Sequence, residues 1–163
     1  MPRVVKSVVL DASVDAVWDV LRDFNGHDRW HPAVATSHVE RGRASDEIGC
    51  IRRFTLADGG VLREQLLTLS DVEQTYSYCL LDTPIPLFNY VSHVRLLPVT
   101  DGDRTFWQWE SRFDTRHGED DAMSALVGTQ IYAAGFGAIA AHLGVAHSGE
   151  GAGAGAGANG GAA

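Results

Sequence analysis

The chain has 163 residues, 45% of them hydrophobic, and a formal net charge of −8 at pH 7. This length and hydrophobic content suit a single domain with a sizeable core. Because binding to phosphate groups requires clustered lysine and arginine side chains, the acidic balance excludes a nucleic-acid surface.

The N-terminal stretch MPRVVKSVVLD predicts a first strand, because it is rich in β-branched residues. It lacks the long apolar run and the small-residue cleavage site of a secretory signal. We therefore expect a cytoplasmic protein with no stable membrane insertion.

Two short helices are predicted next. In SVDAVWDVLRDF the apolar residues recur at helical spacing, with Ser13 as the N-cap and with Asn25 and Gly26 as the end of the helix. The segment HDRWHP predicts a second helical turn, and Pro32 moves His31 out of the helical region.

Six strands in hairpin order are predicted in the middle of the chain. The clearest turn signals are DGG at residues 58–60 and TDGD at residues 100–103. With the first strand, these segments predict an antiparallel sheet of seven strands, long enough to twist and curl.

A long final helix is predicted after Glu119, with acidic residues in its first turn. Gly128, Gly135 and Gly137 weaken this helix, or else allow it to approach the sheet closely. The predicted fold class is therefore α+β, a helix-grip arrangement in which a curved seven-stranded sheet wraps around the helix. One helix does not fill the whole concave face of such a sheet, so the remaining space is either a packed core or a binding cavity.

We expect one domain over residues 1–146 and a disordered Gly/Ala-rich tail over residues 147–163, because the tail has no large side chain to bury. Cys50 and Cys79 lie in apolar strand-like segments, which favours buried free thiols over a disulfide. His27 and His31 are four residues apart, but Pro32 and the lack of a third ligand argue against a metal site.

The alternation of strand faces selects candidate cavity residues. Arg52 and Glu64 lie on the mostly apolar faces of two hairpin neighbours, where they form either a buried ion pair or a surface pair. Either a cavity wall or a packed core would suit the aromatic residues Tyr78 and Tyr90 and the stripe of Trp107, Trp109 and Phe113. The candidate ligand-binding residues are His31, Arg52, Phe54, Glu64, Tyr78, Tyr90, Ser92, Trp109, Tyr132 and Phe136.

The loop Thr83–Phe88 combines two prolines with apolar side chains. Exposed apolar patches usually mark contact sites. The loop therefore forms a lid beside the cavity or packs on the final helix.

The segments SVDAVWDVLRDF, RWHPAV and LADGG…REQL, followed by a glycine-rich final helix, together resemble the START-like helix-grip superfamily, also called SRPBCC. Within it, residues 3–144 look like the bacterial polyketide cyclase/dehydrase and lipid-transport group.

The chain is also distantly similar to the plant abscisic acid receptors. That resemblance places His31 where the receptors carry a lysine that meets the ligand's carboxylate, and places Glu64, Tyr90 and Ser92 on matching pocket residues. The histidine and the short DGG turn depart from the receptors, so neither their acidic ligand nor their protein partner is carried over.

The sequence has no nucleophile elbow, phosphate-cradling loop or metal cluster, which favours a carrier or sensor of a small apolar or polyketide-like molecule over an enzyme. We expect a monomer or homodimer without a cofactor. The alternative is an aromatase/cyclase- or dehydrase-type enzyme that uses general acid/base catalysis. In that case His31 or Glu64 would be the acid or base, Arg52 would anchor a carbonyl oxygen and Tyr90 would donate a proton.

Overall fold

The computed structural model describes residues 1–148, in which eight strands form one antiparallel sheet in the order β2-β3-β4-β5-β6-β7-β1-β8. The strands are β1 (Arg3–Leu10), β2 (Val34–Val39), β3 (Ile51–Leu56), β4 (Val61–Ser70), β5 (Thr75–Asp82), β6 (Phe88–Val99), β7 (Arg104–Asp114) and β8 (His147–Ser148). The helices are α1 (Val14–Leu21), α2 (His27–Trp30), α3 (Asp120–Ala125) and α4 (Ala134–Leu143), with a 3₁₀ turn at Glu40–Gly42 and a π-helical segment at Leu126–Ala133.

The α+β fold is confirmed, but the sheet has one strand more than predicted. The eighth strand has only two residues, His147 and Ser148, which pair with Leu10 and Val9 of β1. Two residues carry no alternating pattern that a sequence analysis can detect. Residues 149–163, which hold the rest of the expected tail, lie outside the described residues.

Helix α1 begins at the predicted cap but ends earlier than predicted. The Ser13 side chain accepts a hydrogen bond from the amide of Ala16 at 3.3 Å. The helix ends at Leu21 rather than at Asn25, because the Asp23 carboxylate accepts the Asn25 amide at 3.1 Å. This Asx turn redirects the backbone before another helical turn can form.

Several local predictions are confirmed. His31 has extended backbone angles directly before Pro32. Gly59 and Gly102 adopt positive φ angles of 91° in the two predicted hairpin turns, where a side chain would be strained. Cys50 and Cys79 are free thiols, although Cys79 is only half-buried.

The 24-residue stretch Asp120–Leu143, here called the C-terminal helix, runs continuously through α3, the π-helical segment and α4. By length and composition alone it is long and apolar enough to cross a membrane. In the fold, however, Val127, Tyr132 and Ile139 are fully buried in the core that the helix shares with the sheet.

Close approach of the C-terminal helix to the sheet occurs at two of the three glycines. A Cβ atom on Gly135 would lie 2.8 Å from the Trp109 ring, and one on Gly128 would lie 3.3 Å from the Lys6 side chain. A Cβ atom on Gly137 would meet nothing within 4 Å. The sheet therefore requires glycine at position 135 but not at position 137.

Candidate functional site

A cavity of about 300 Å³ lies between the concave face of the sheet and the C-terminal helix. Its volume is at the lower end of the range of about 300–1,000 Å³ that is typical of ligand pockets. The strands supply Val34, Phe54, Leu56, Leu62, Glu64, Tyr78, Leu80, Tyr90 and Trp109. The helices and loops supply His27, His31, Ala33, Asp58, Pro84, Ile85, Leu87, Leu126, Gln130 and Ile131.

Six of the ten predicted ligand-binding residues line this cavity. They are His31, Phe54, Glu64, Tyr78, Tyr90 and Trp109. The other four, Arg52, Ser92, Tyr132 and Phe136, do not line it. Arg52, Ser92 and Tyr132 instead hydrogen bond to lining residues, so they support the wall of the cavity.

Arg52 and Glu64 form a buried ion pair, which is one of the two arrangements that the sequence left open. They face each other across β3 and β4, and only 5% and 6% of their surfaces are exposed. Arg52 Nε donates to Glu64 Oε2 at 2.7 Å, and Arg52 Nη1 donates to the Phe24 carbonyl at 2.6 Å. Burial raises the pKa of Glu64, and the arginine opposes that rise. The pair places a carboxylate at the cavity wall with its counter-charge behind it.

A chain of hydrogen bonds fixes the hydroxyl protons behind Trp109. Ser92 Oγ donates to the carbonyl of Glu110 at 3.0 Å and accepts the Trp109 indole N–H at 2.9 Å. Because the Ser92 hydroxyl proton is donated to Glu110, Ser92 can only accept from Tyr132, at 3.2 Å. The Tyr132 proton is then committed to Ser92, so Tyr90 donates to Tyr132 at 2.8 Å. Tyr90 therefore has no free hydroxyl proton to give to a ligand.

The fourth residue outside the wall, Phe136, packs edge-on against Trp107 at a centroid distance of 4.7 Å. The helical spacing of the sequence places Phe136 on the sheet-facing side, but it does not show which sheet residue the ring meets. Trp107 and Phe113, from the predicted aromatic stripe, are fully buried core residues, whereas Trp109 reaches the cavity.

His27 and His31 both line the cavity, with their rings 5.1 Å apart. His31 Nδ1 accepts the amide of Ala33 at 3.2 Å, so its proton sits on Nε2. Burial and the nearby Arg52 charge lower the pKa of both imidazoles, which keeps them neutral at pH 7. Within residues 1–148, no group of three His, Cys, Asp or Glu side chains is arranged to hold a metal ion.

The loop between β5 and β6 forms one side of the cavity. Pro84, Ile85 and Leu87 line it, and Leu87 is buried. Thr83 Oγ1 accepts the amide of Ile85 at 3.1 Å, which holds the turn. Of the apolar side chains in this loop region, Phe88 points outward and is 48% exposed.

Sequence reasoning did not select the lining residues His27, Leu62, Leu80, Gln130 and Ile131 as ligand-binding candidates. Leu62 shares the inward face of β4 with Glu64, so the alternation rule could have found it. Gln130 and Ile131 lie in the π-helical segment, whose wider turns rotate side chains away from the 3.6-residue pattern. No sequence signal available here would have located them.

The buried tyrosines predict a loss of stability at alkaline pH. Burial raises the pKa of Tyr132 from 10.0 to about 12 and raises those of Tyr78 and Tyr90 well above the usual value. Above about pH 10 the unfolded chain releases these protons and the folded chain does not, so the free energy of unfolding should fall by about 1.4 kcal/mol per pH unit for each tyrosine. Urea unfolding between about pH 8 and 11 measures this slope. Tyr132→Phe should make it shallower, and an unchanged slope would contradict the assignment.

A model of a protein family described as polyketide cyclase / dehydrase and lipid transport matches residues 1–144. Among solved structures, the protein XoxI from Bacillus cereus is 26% identical, with a TM-score of 0.78 over 88% of this chain and 96% of that chain. An uncharacterised protein from Bacillus thuringiensis is also 26% identical, with a TM-score of 0.77 over 86% and 98% of the two chains. A protein from Thermobifida fusca gives the same identity and a TM-score of 0.77 over 86% and 91%. No curated protein matches the sequence.

Proposed function

Since the chain belongs to the polyketide cyclase/dehydrase and lipid-transport family, we propose that it binds one small hydrophobic, polyketide-like or lipid-like molecule in its internal cavity, as a carrier or sensor. The family supports a hydrophobic ligand-binding fold. The observation that carries the proposal is the cavity of about 300 Å³ bounded by the sheet, the β5–β6 loop and the C-terminal helix. Burying an apolar molecule there is favourable by about 25 cal/mol for each Å² removed from water.

Filling the cavity is expected to abolish binding. Ile131 lines the cavity and is half-buried, so Ile131→Trp places a large ring in the ligand's space. Thr129 lies in the same π-helical segment but is exposed and does not line the cavity, so Thr129→Trp is the matched control.

Native mass spectrometry of freshly purified protein, followed by titration with the neutral apolar probe N-phenyl-1-naphthylamine, measures the outcome. We expect wild type and Thr129→Trp to hold a small molecule or to bind the probe, and we expect Ile131→Trp to lose at least tenfold in probe affinity. Equal affinity in all three proteins would place the binding site elsewhere.

We propose as a second candidate an aldol cyclase or dehydrase acting by general acid/base catalysis in the same cavity. The supporting observation is that His31, whose proton sits on Nε2, and the Glu64 carboxylate line one mostly apolar cavity. Glu64 would take a proton from the carbon between two ketones, and that carbon would bond to a second carbonyl carbon. His31 would protonate the resulting alkoxide oxygen, and its proton would be restored from the Glu64 carboxyl.

Two predicted roles change in this scheme. Arg52 does not line the cavity, so it orients Glu64 rather than anchoring a carbonyl oxygen. Tyr90 donates its proton to Tyr132 and is not available as an acid. Product analysis with a poly-β-ketone substrate tests the scheme. Wild type should shift the spontaneous product pattern and His31→Ala should not, whereas identical patterns from both proteins would exclude this chemistry.

A further inference from the structure

Resting on the proposed function, we propose that the cavity selects neutral molecules that carry a hydroxyl group on an apolar body, such as alcohols and phenols, and rejects carboxylates. The inference goes beyond hydrophobic binding because it names the polar group of the ligand. It is carried by polar atoms of two buried residues that line the cavity and have no hydrogen-bond partner within residues 1–148, and by the sign of the charge on the cavity wall.

The first group is the second oxygen of the Glu64 carboxylate. Both contacts from Arg52 go to Oε2, at 2.7 and 2.5 Å. Among residues 1–148, Oε1 has no hydrogen-bond partner, although the side chain is only 7% exposed and lines the cavity. An ionised carboxylate oxygen only accepts hydrogen bonds, and leaving it unsatisfied in an apolar space is costly. A ligand group that contacts Oε1 is therefore favoured when it donates a hydrogen bond.

The second group is the hydroxyl of Tyr78. This residue is 2% exposed, lines the same cavity, and has no hydrogen-bond partner for its hydroxyl in the described part of the chain. The Arg52 guanidinium, which bonds Glu64, lies 5.5 Å from the Tyr78 ring, so the three side chains form one cluster. A phenol can donate its proton to a ligand oxygen. A ligand hydroxyl has both complementary capacities, because it can donate to Glu64 and accept from Tyr78.

The charge on the wall opposes a carboxylate. The lining residues that the structure describes include the acids Asp58 and Glu64 but no lysine or arginine. The Arg52 charge is occupied by Glu64 and by the Phe24 carbonyl, and it does not reach the cavity. A carboxylate placed beside Glu64 would be buried without a counter-ion, which weakens its binding.

Three probes of similar shape test the inference by isothermal titration calorimetry at about pH 7.5. 1-Naphthol carries the hydroxyl, 1-methoxynaphthalene lacks the donor, and 1-naphthoic acid is charged. We expect 1-naphthol to bind about tenfold or more tightly than either of the others, as one hydrogen bond to a charged group implies. Equal or tighter binding of 1-naphthoic acid would overturn the inference, and so would equal binding of 1-naphthol and 1-methoxynaphthalene, while the proposed function would stand in both cases.

Variants assign the selectivity to the two groups. Glu64→Gln should reduce the preference for 1-naphthol over 1-methoxynaphthalene, and so should Tyr78→Phe, which leaves the ion pair intact. A preference that stays unchanged in the phenylalanine variant and in any folded glutamine variant would overturn the assignment. If no probe binds to the wild-type protein, the proposed function fails as well.

Discussion

Replacing Arg52 by methionine is expected to lower the free energy of unfolding by roughly 3–5 kcal/mol, because the change leaves Glu64 as an uncompensated buried charge. The carboxylate is only 6% exposed, and its protein hydrogen bonds come from this arginine. The Phe24 carbonyl would also lose the donor that Arg52 Nη1 supplies at 2.6 Å. Urea unfolding at about pH 7 measures the loss.

The pH dependence of this loss distinguishes a buried charge from a packing defect. Without the arginine, the pKa of Glu64 in the folded protein should rise further above its unfolded value. The loss of unfolding free energy caused by Arg52→Met should then become smaller as the pH falls towards about 5, since a protonated Glu64 needs no counter-charge. The double variant Arg52→Met with Glu64→Leu should recover most of the stability, because apolar replacement of a buried ion pair is often neutral. A double variant no more stable than Arg52→Met alone would contradict the account.

The pairing of Arg52 with Glu64 could be predicted from the sequence, because two local rules determine which residues face each other, although they do not determine which face of the sheet is buried. The DGG turn sets the register of the hairpin, and strand alternation places Arg52 and Glu64 on the same face. The same alternation holds along β6, which buries Tyr90 and Ser92. It breaks in β5, where Tyr76, Ser77 and Tyr78 are buried in succession and a bulge interrupts the pairing with β4. Predictions made from strand alternation therefore agree with the structure where the pairing is regular and fail where a bulge interrupts it.

The helices and loops were less predictable, because their placement depends on contacts distant in sequence. The Asx turn at Asp23 ends α1 before the predicted position and leads into α2, which brings His27 beside Phe54 at a ring distance of 5.2 Å. The π-helical segment turns Gln130 and Ile131 towards the cavity. Neither event leaves a periodic trace, so these three of the nineteen lining residues could not be located from sequence patterns.

The sequence also did not show which aromatic residues of β7 line the cavity and which are buried in the core. Trp107 and Trp109 share one face of β7 and their rings stack at 5.4 Å, yet only Trp109 reaches the cavity. The difference arises from the C-terminal helix, where Phe136 covers Trp107 and Tyr132 stacks on Trp109 at 4.4 Å. Which aromatic ring meets a ligand therefore depends on how closely the helix approaches the sheet.

Gly135 controls that approach, and Gly135→Ala is expected to make the protein less stable than Gly137→Ala by about 1–3 kcal/mol. The new methyl group would lie 2.8 Å from Trp109 Cζ3. The ring cannot easily give way, because its indole N–H is bonded to Ser92 and its face is stacked on Tyr132. Either the helix or the ring must move.

Gly137→Ala is the matched control, because both changes add the same methyl group to the same helix and both gain about 1 kcal/mol of helix propensity. At position 137 the methyl group meets no atom within 4 Å, so this variant should be as stable as wild type or more stable. Since Trp109 lines the cavity, Gly135→Ala should also weaken binding of N-phenyl-1-naphthylamine, whereas Gly137→Ala should not. Thermal unfolding and probe titration of both variants measure these effects together. Equal stability and equal affinity in Gly135→Ala and Gly137→Ala would contradict this account. The helix would then be able to shift away from the sheet without cost, and the contact between Gly135 and Trp109 would not set the shape of the cavity.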